Sequence, residues 1–238
     1  MDEARLHHLV DPRSLAGRLI AAEPDLWRRY TEHAFVRGLQ LGTLPEAAFR
    51  AYLVQDYKFL IHFARAWALA AAKAEDPREI RACAATVHAL VDEELKLHIA
   101  YCRSFGLDEK DLLSAPEHPA TTAYTSFVLE RGLTGDLLDL LVALAPCVIG
   151  YGEIGARLGR DPETRREGNP YRAWIETYAG DAYAEVARAA SAQLERVAAA
   201  RIGPAPEASP RWPGLAAVFA RATALEVGFW QMGLDAAR

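Results

Sequence analysis

Residues 45–74, PEAAFRAYLVQDYKFLIHFARAWALAAAKA, place an apolar side chain at every third or fourth position. Phe49, Tyr52, Leu53, Leu60, Phe63 and Trp67 share one side, and Asp56 sits among them. A stripe of that period is buried by a helix; a strand would need strict alternation. The rhythm recurs over most of the chain. It predicts helical runs at Leu26–Leu39, Ala120–Leu133, Gly135–Leu158, Pro170–Ala200 and Trp212–Met232, and a further one through REIRACAATVHALVDEELKLHIAYCRSFG that stops at Gly106. Thr43 with Glu46 reads as a capping box behind Pro45, Asp76-Pro77 with Glu79 as a second start signal, and Asn169-Pro170 as a third. No stretch combines alternation with a Val/Ile/Thr-rich composition, so no sheet is expected and the fold class is all-α. The loops RDPETRREGN and RIGPAPEASPRWP are rich in Pro, Gly and charge. The second resembles a linker, but the single helix after it is too short to bury a core alone. One all-helical domain over residues 1–238 is therefore expected.

Composition narrows the function classes. The net charge is −5 and no basic stripe is interleaved with aromatics, which argues against nucleic acid as a partner. No apolar run reads as long enough for a membrane span. The start MDEARLHHLVDPRS is acidic where an export signal would be basic. Cys83, Cys102 and Cys147 are odd in number and widely spaced, so neither a disulfide framework nor a zinc site is expected, and a reducing cytoplasm fits best.

Four polar groups on apolar faces carry the chemical interest. Asp56 has Tyr52, Phe59, Leu60 and Phe63 as its helical neighbours. A buried carboxylate is costly, so it is either satisfied by a neighbouring helix or functional. Glu226 repeats the pattern, sharing its face with Ala222, Phe229 and Trp230. Two such acids can divide general acid and base roles. Cys147, Tyr151 and Ile154 lie at i, i+4 and i+7, which aims a thiol and a phenol the same way. This is either ordinary core packing or a nucleophile beside a phenol donor. Gly150, Gly152 and Gly155 mark close approach of a ligand or of another helix. Tyr124 and Tyr178, taken singly, are core aromatics. His88, Glu94 and His98 resemble a helical metal-ligand spacing, but the last histidine is His118, so the C-terminal half offers no imidazole and no metal or cofactor is expected. His33 and His62 read as satisfied or solvated residues, and Cys83 and Cys102 as ordinary packing.

The segments FRAYLVQDYKFLIHFARAWA, AYTSF, CVIGYGEIG, NPYRAWIETYAGDAY and EVGFW occur in an order that resembles the TenA family of thiaminase II or aminopyrimidine aminohydrolases, from about Leu26 to Gly233. The resemblance implies a haem-oxygenase-like helical bundle without haem, usually a homotetramer, acting on an aminopyrimidine or thiamin in thiamin salvage. It implies Cys147 as nucleophile and Asp56 as the carboxylate that binds the pyrimidine ring. Glu226 is then the acid that exchanges protons with substrate and leaving group, and Phe59, Tyr124, Tyr151 and Tyr178 line the pocket. The Cys147 thiolate would add to the ring and expel an amine or a thiazole from the exocyclic methylene; water would then add there and the thiol leave. The loops at 158–169 and 202–213 read as longer than is usual in the family. Two alternatives remain: a haem-oxygenase-like di-iron oxidase using Glu94 and His98, and a non-catalytic binding or regulatory protein.

Overall fold

The computed structural model describes residues 10–238. The first nine residues of the acidic N-terminal stretch lie outside the described residues. Among the described residues there is no strand, and the chain is built from helices joined by short turns. Its internal contacts divide it into two compact units. One comprises the chain up to Leu44 with Leu141–Val227; the other comprises Pro45–Leu140 with Gly228–Arg238.

The first unit holds α1 (Leu15–Ala22), α2 (Pro24–Thr31), α3 (Ala34–Leu41), most of α9 (Leu137–Arg160), α10 (Arg172–Ala179), α11 (Asp181–Ile202) and the first turns of α12 (Trp212–Asp235). α1 packs on α2 and α11, and α10 packs on α3 and α11. The run expected at Leu26–Leu39 is broken because His33 leaves helical geometry and its ring accepts a hydrogen bond from the Phe35 N–H, starting α3 afresh. The run expected from Pro170 breaks at Gly180, whose extended backbone separates α10 from α11. The Asn169-Pro170 signal is a turn before α10: the Asn169 side chain accepts from the Tyr171 N–H and donates to the Leu39 carbonyl at 2.9 Å, tying the loop to α3. Gly42 closes α3 at φ +67°, a conformation that favours glycine.

α9 corrects one sequence expectation. By length and composition it is apolar enough to cross a membrane, and 83% of its apolar window is buried inside the protein, as in the core helix of a folded domain. The helix runs through Pro146 without a break. Its glycines face protein. A Cβ on Gly150 would lie 2.1 Å from the Tyr30 ring, and one on Gly155 would lie 2.0 Å from the Tyr178 carbonyl oxygen. Of the two meanings weighed for these glycines, close approach of neighbouring helices is the one observed at these positions.

The second unit is organised on α4 (Glu46–Lys73), which packs against α5 (Pro77–His88), α6 (Leu95–Ser104), α7 (Glu109–Ser114) and α8 (Pro119–Thr134). Thr43 does not cap α4. Pro45 occupies the N-cap and no side chain caps the helix, so the expected capping box is absent. Asp76 does cap α5, accepting from the Arg78 N–H. Between α5 and α6 the helix widens into a π-helical turn at Ala89–Glu94, and the run ends before Gly106 at φ +69°. Gln55, buried on α4, accepts from the His118 N–H at 2.8 Å and the Thr121 hydroxyl at 2.7 Å and donates to the Pro116 carbonyl at 3.0 Å. These bonds fix the start of α8 and hence the position of Tyr124.

Gly155→Ala forces a methyl group against backbone that no side-chain rotation can move. It is expected to destabilise the protein by about 1–3 kcal/mol, read as a lower denaturant midpoint at unchanged slope.

Candidate active site

In the second unit, Asp56 projects from the middle of α4 and is 7% exposed. Burial raises its carboxyl from the ordinary value of 3.8 to about 7, opposed by a hydrogen bond with Tyr52. Its other partner is His98 on α6, whose Nδ1 lies 3.5 Å from Asp56 Oδ2. His98 Nε2 lies 2.8 Å from the Leu53 carbonyl oxygen, and burial lowers its pKa. Glu94, at the end of the π-helical turn, is also raised to about 7, by burial first and then by the Asp56 charge. Cys102 is fully buried and pushed up to about 12 by burial, with Asp56 adding to it, which keeps it a thiol.

Around Asp56 stands an aromatic wall. The Phe59 ring lies 4.9 Å from Tyr124, 5.3 Å from Phe63 and 5.8 Å from Phe229 between centroids. Tyr52 packs on Trp230 at 5.4 Å. The structure thus brings Asp56, Phe59 and Tyr124 into one apolar neighbourhood, the setting in which a flat heteroaromatic ring is held by stacking with a few polar groups.

In the first unit, Cys147 and Tyr151 lie one helical turn apart on α9, the thiol partly exposed and the phenol buried. Tyr151 packs against Tyr178 at 5.0 Å and Trp174 at 6.0 Å, both on α10. Trp174 and Tyr178 pack at a tilt of 49° with centroids 4.5 Å apart, and Tyr183 closes edge-on on Tyr178 at 4.8 Å. Gly155 is what lets α10 come this close to α9. Glu226 is 2% exposed on α12.

One buried acid was not singled out in the sequence. Glu153 on α9 accepts a hydrogen bond from the Trp27 indole N–H at 2.9 Å. Burial raises it to about 7, against the opposing pull of Trp27 and then Arg157. An acid in the otherwise apolar GYGEIG was the available signal. Of the three residues with metal-like spacing, Glu94 and His98 both meet Asp56 and His88 does not. His88 pairs with Asp92 at 2.8 Å on the surface while His98 turns to Asp56, and among the described residues no group of three His, Cys, Asp or Glu is placed to hold an ion. His33 caps α3 and His62 pairs with Glu117 at 2.9 Å.

The raised Asp56 has a consequence for stability. The folded state keeps its proton up to about pH 7, whereas the unfolded chain releases it near 4, so stability falls as pH rises through that window. Asp56→Asn removes this contribution. Relative to wild type, the variant is expected to gain roughly 2 kcal/mol or more between pH 4 and pH 8 in denaturant titrations. Glu94 and Glu153 act in the same direction and leave part of the slope in place.

Comparison with known proteins bears on the family and the fold. The profile of the TENA/THI-4/PQQC family matches residues 21–236. A crystal structure described as a TenA family transcription regulator from Silicibacter sp. superposes with a TM-score of 0.89 at 50% identity, covering 94% of this chain and 98% of that one. An aminopyrimidine aminohydrolase of Halalkalibacterium halodurans is 32% identical over 223 residues, 93% of this chain and 96% of its own. A Shewanella denitrificans domain with a heme oxygenase-like fold superposes with a TM-score of 0.69 at 17% identity, over 92% of this chain and 91% of that one, a likeness of fold alone. The expected all-helical haem-oxygenase-like fold is thus the one observed, and the chain belongs to the TENA/THI-4/PQQC family.

Proposed function

We propose that this protein hydrolyses the exocyclic C–N bond of an aminopyrimidine, 4-amino-5-aminomethyl-2-methylpyrimidine, to the hydroxymethyl pyrimidine in thiamin salvage, with thiamin itself as a second substrate. The observation that carries the reading is the buried Asp56 carboxyl against the Phe59–Tyr124–Phe229 wall. An acid that burial raises to about 7 retains a protonated fraction at neutral pH and is suited to hydrogen-bond a ring nitrogen and draw electrons from the ring. The 32% identical relative carries the name of this activity.

In this reading the Cys147 thiolate adds to the electron-poor ring, and the amine leaves from the methylene as Glu226 protonates it. Water then adds at the methylene and the thiol departs with the ring's electrons restored. Covalent addition divides one difficult substitution into easier steps. Tyr151 and Tyr178 orient the ring, and Asp56 holds it. The partly exposed thiol on α9 is consistent with this role, unlike the buried Cys83 and Cys102. We also read the active form as a homotetramer working in the cytoplasm, without nucleic acid or membrane as a partner; three cysteines, odd in number and widely spaced, support the reducing compartment.

The test follows amine release and pyrimidine product from the aminopyrimidine and, separately, from thiamin. Wild type is expected to turn over the aminopyrimidine. Cys147→Ser is expected to lose turnover while keeping its helical signal, and Asp56→Asn and Glu226→Gln to lose about 10²–10⁴-fold. Unchanged turnover by Cys147→Ser would remove the covalent step. No turnover of either substrate by well-folded wild type would remove the assigned reaction.

A further inference from the structure

We propose that Asp56 and His98 hold one proton between them, with Asp56 as the acid at rest and His98 as the residue that positions and maintains it. The Leu53 carbonyl sets the tautomer of His98. A carbonyl oxygen only accepts, so the 2.8 Å contact requires the proton on His98 Nε2. A neutral ring then has a bare Nδ1, and Nδ1 is the atom that faces Asp56 Oδ2 at 3.5 Å. A lone pair facing a carboxylate would be repelled; one proton shared by the two groups removes the repulsion. The pair is neutral as a whole in either arrangement. Both side chains are about 90% buried, so the form without separated charges, carboxylic acid and neutral imidazole, is favoured. At this separation, out of water, the two groups titrate together. The ring is held in place on its other side, lying nearly parallel to Tyr57 at 6.4 Å.

Around the pair, burial raises the Asp56 carboxyl and the hydrogen bond with Tyr52 opposes it. Tyr52 and Tyr57 flank the pair on α4, Glu94 approaches from the π-helical turn, Cys102 from α6 and Tyr124 from α8, while Glu109 on α7 acts on Tyr57. Among the described residues no lysine or arginine enters the balance at Asp56. The π-helical turn ends at Glu94, so the irregular geometry places a second acid beside the first. π-Turns of this kind are found often at functional sites. His98 thus has a role distinct from the metal ligation its spacing called to mind. The proposal deepens the reading of Asp56 given above: the pair presents a proton donor to the ring instead of an anion.

The experiment is made on the full, ligand-free protein, so its result stands apart from whether the proposed reaction occurs. In 15N-histidine-labelled protein, with His98 assigned by its loss in His98→Gln, the His98 signals are expected to show a protonated Nε2 and a bare Nδ1 at neutral pH. They should respond in two pH steps, one as the pair takes up a second proton and one as it loses the shared proton. Asp56→Asn should leave a single step. Infrared spectra should show a carboxylic-acid carbonyl band that is absent from Asp56→Asn. His98→Gln keeps a donor for the Leu53 carbonyl but replaces the basic ring nitrogen with a far less basic amide oxygen, and the band should then disappear about one pH unit lower. If that variant does not fold, assignment through His98→Asn and the comparison of wild type with Asp56→Asn decide the matter. A protonated Nδ1 in wild type, or a His98 titration unchanged by Asp56→Asn, would overturn the proposal. For kcat/KM, His98→Gln is expected to move the high-pH limb downward, whereas a loss uniform across pH would mark His98 as merely structural and count against it.

Discussion

The constraint on which the second unit turns is a carboxyl group placed where water does not reach. Asp56 sits at the centre of α4, the longest helix among the described residues, with aromatic rings on its own face. An ionised carboxylate there would need a cation, and among the described residues none acts on it; burial pushes the group toward its acid form beside His98, against the opposing hydrogen bond with Tyr52. The neighbours follow the same logic. Glu94 is driven toward its acid form and Cys102 is held as a thiol, each partly by the presence of Asp56. Fold stability alone would favour an apolar residue at position 56. Retaining an acid at that cost is the pattern expected where a group is kept for chemistry.

The first unit is governed by a different requirement, close approach to α9. Tyr30 lies against Gly150 and the end of α10 against Gly155, at distances that leave no room for a Cβ. Each glycine weakens the helix locally, and tertiary packing compensates. The result is that Tyr151, Trp174 and Tyr178 form one aromatic group beside the helix that carries Cys147. Glu153 is drawn into the same core with the Trp27 indole as its donor. Burial brings it to about 7, as it does Asp56, yet its partners are an indole and an arginine, the surroundings of a structural acid.

Much of the candidate site was legible because its members break a local rule. Asp56 and Glu226 interrupt apolar stripes, and Cys147 and Tyr151 share a helical face, so each stood out from its own neighbours in the chain. Phe59 and Tyr124 did not break any rule; only the resemblance raised them above ordinary core aromatics, and the structure adds their ring contact. His98 was visible only as part of a metal-like spacing, because nothing local tells a histidine whether it will meet an ion, a carbonyl or an acid. Glu153 was overlooked because its donor, Trp27, comes from a distant part of the sequence.

The sequence by itself determined that the chain is helical and which side chains would be buried, since both follow from a period of three to four residues that each segment carries on its own. It also determined that two acids and a thiol would lie on buried or half-buried faces. Tertiary structure alone decided where the runs break. A histidine ring capping α3, a glycine dividing α10 from α11 and a proline displacing the expected cap of α4 each set a boundary that periodicity passes over. It alone decided that Gly150 and Gly155 serve packing, and that Asp56 meets Nδ1 of His98. These outcomes rest on contacts between residues far apart in the chain, whose energies no local pattern contains.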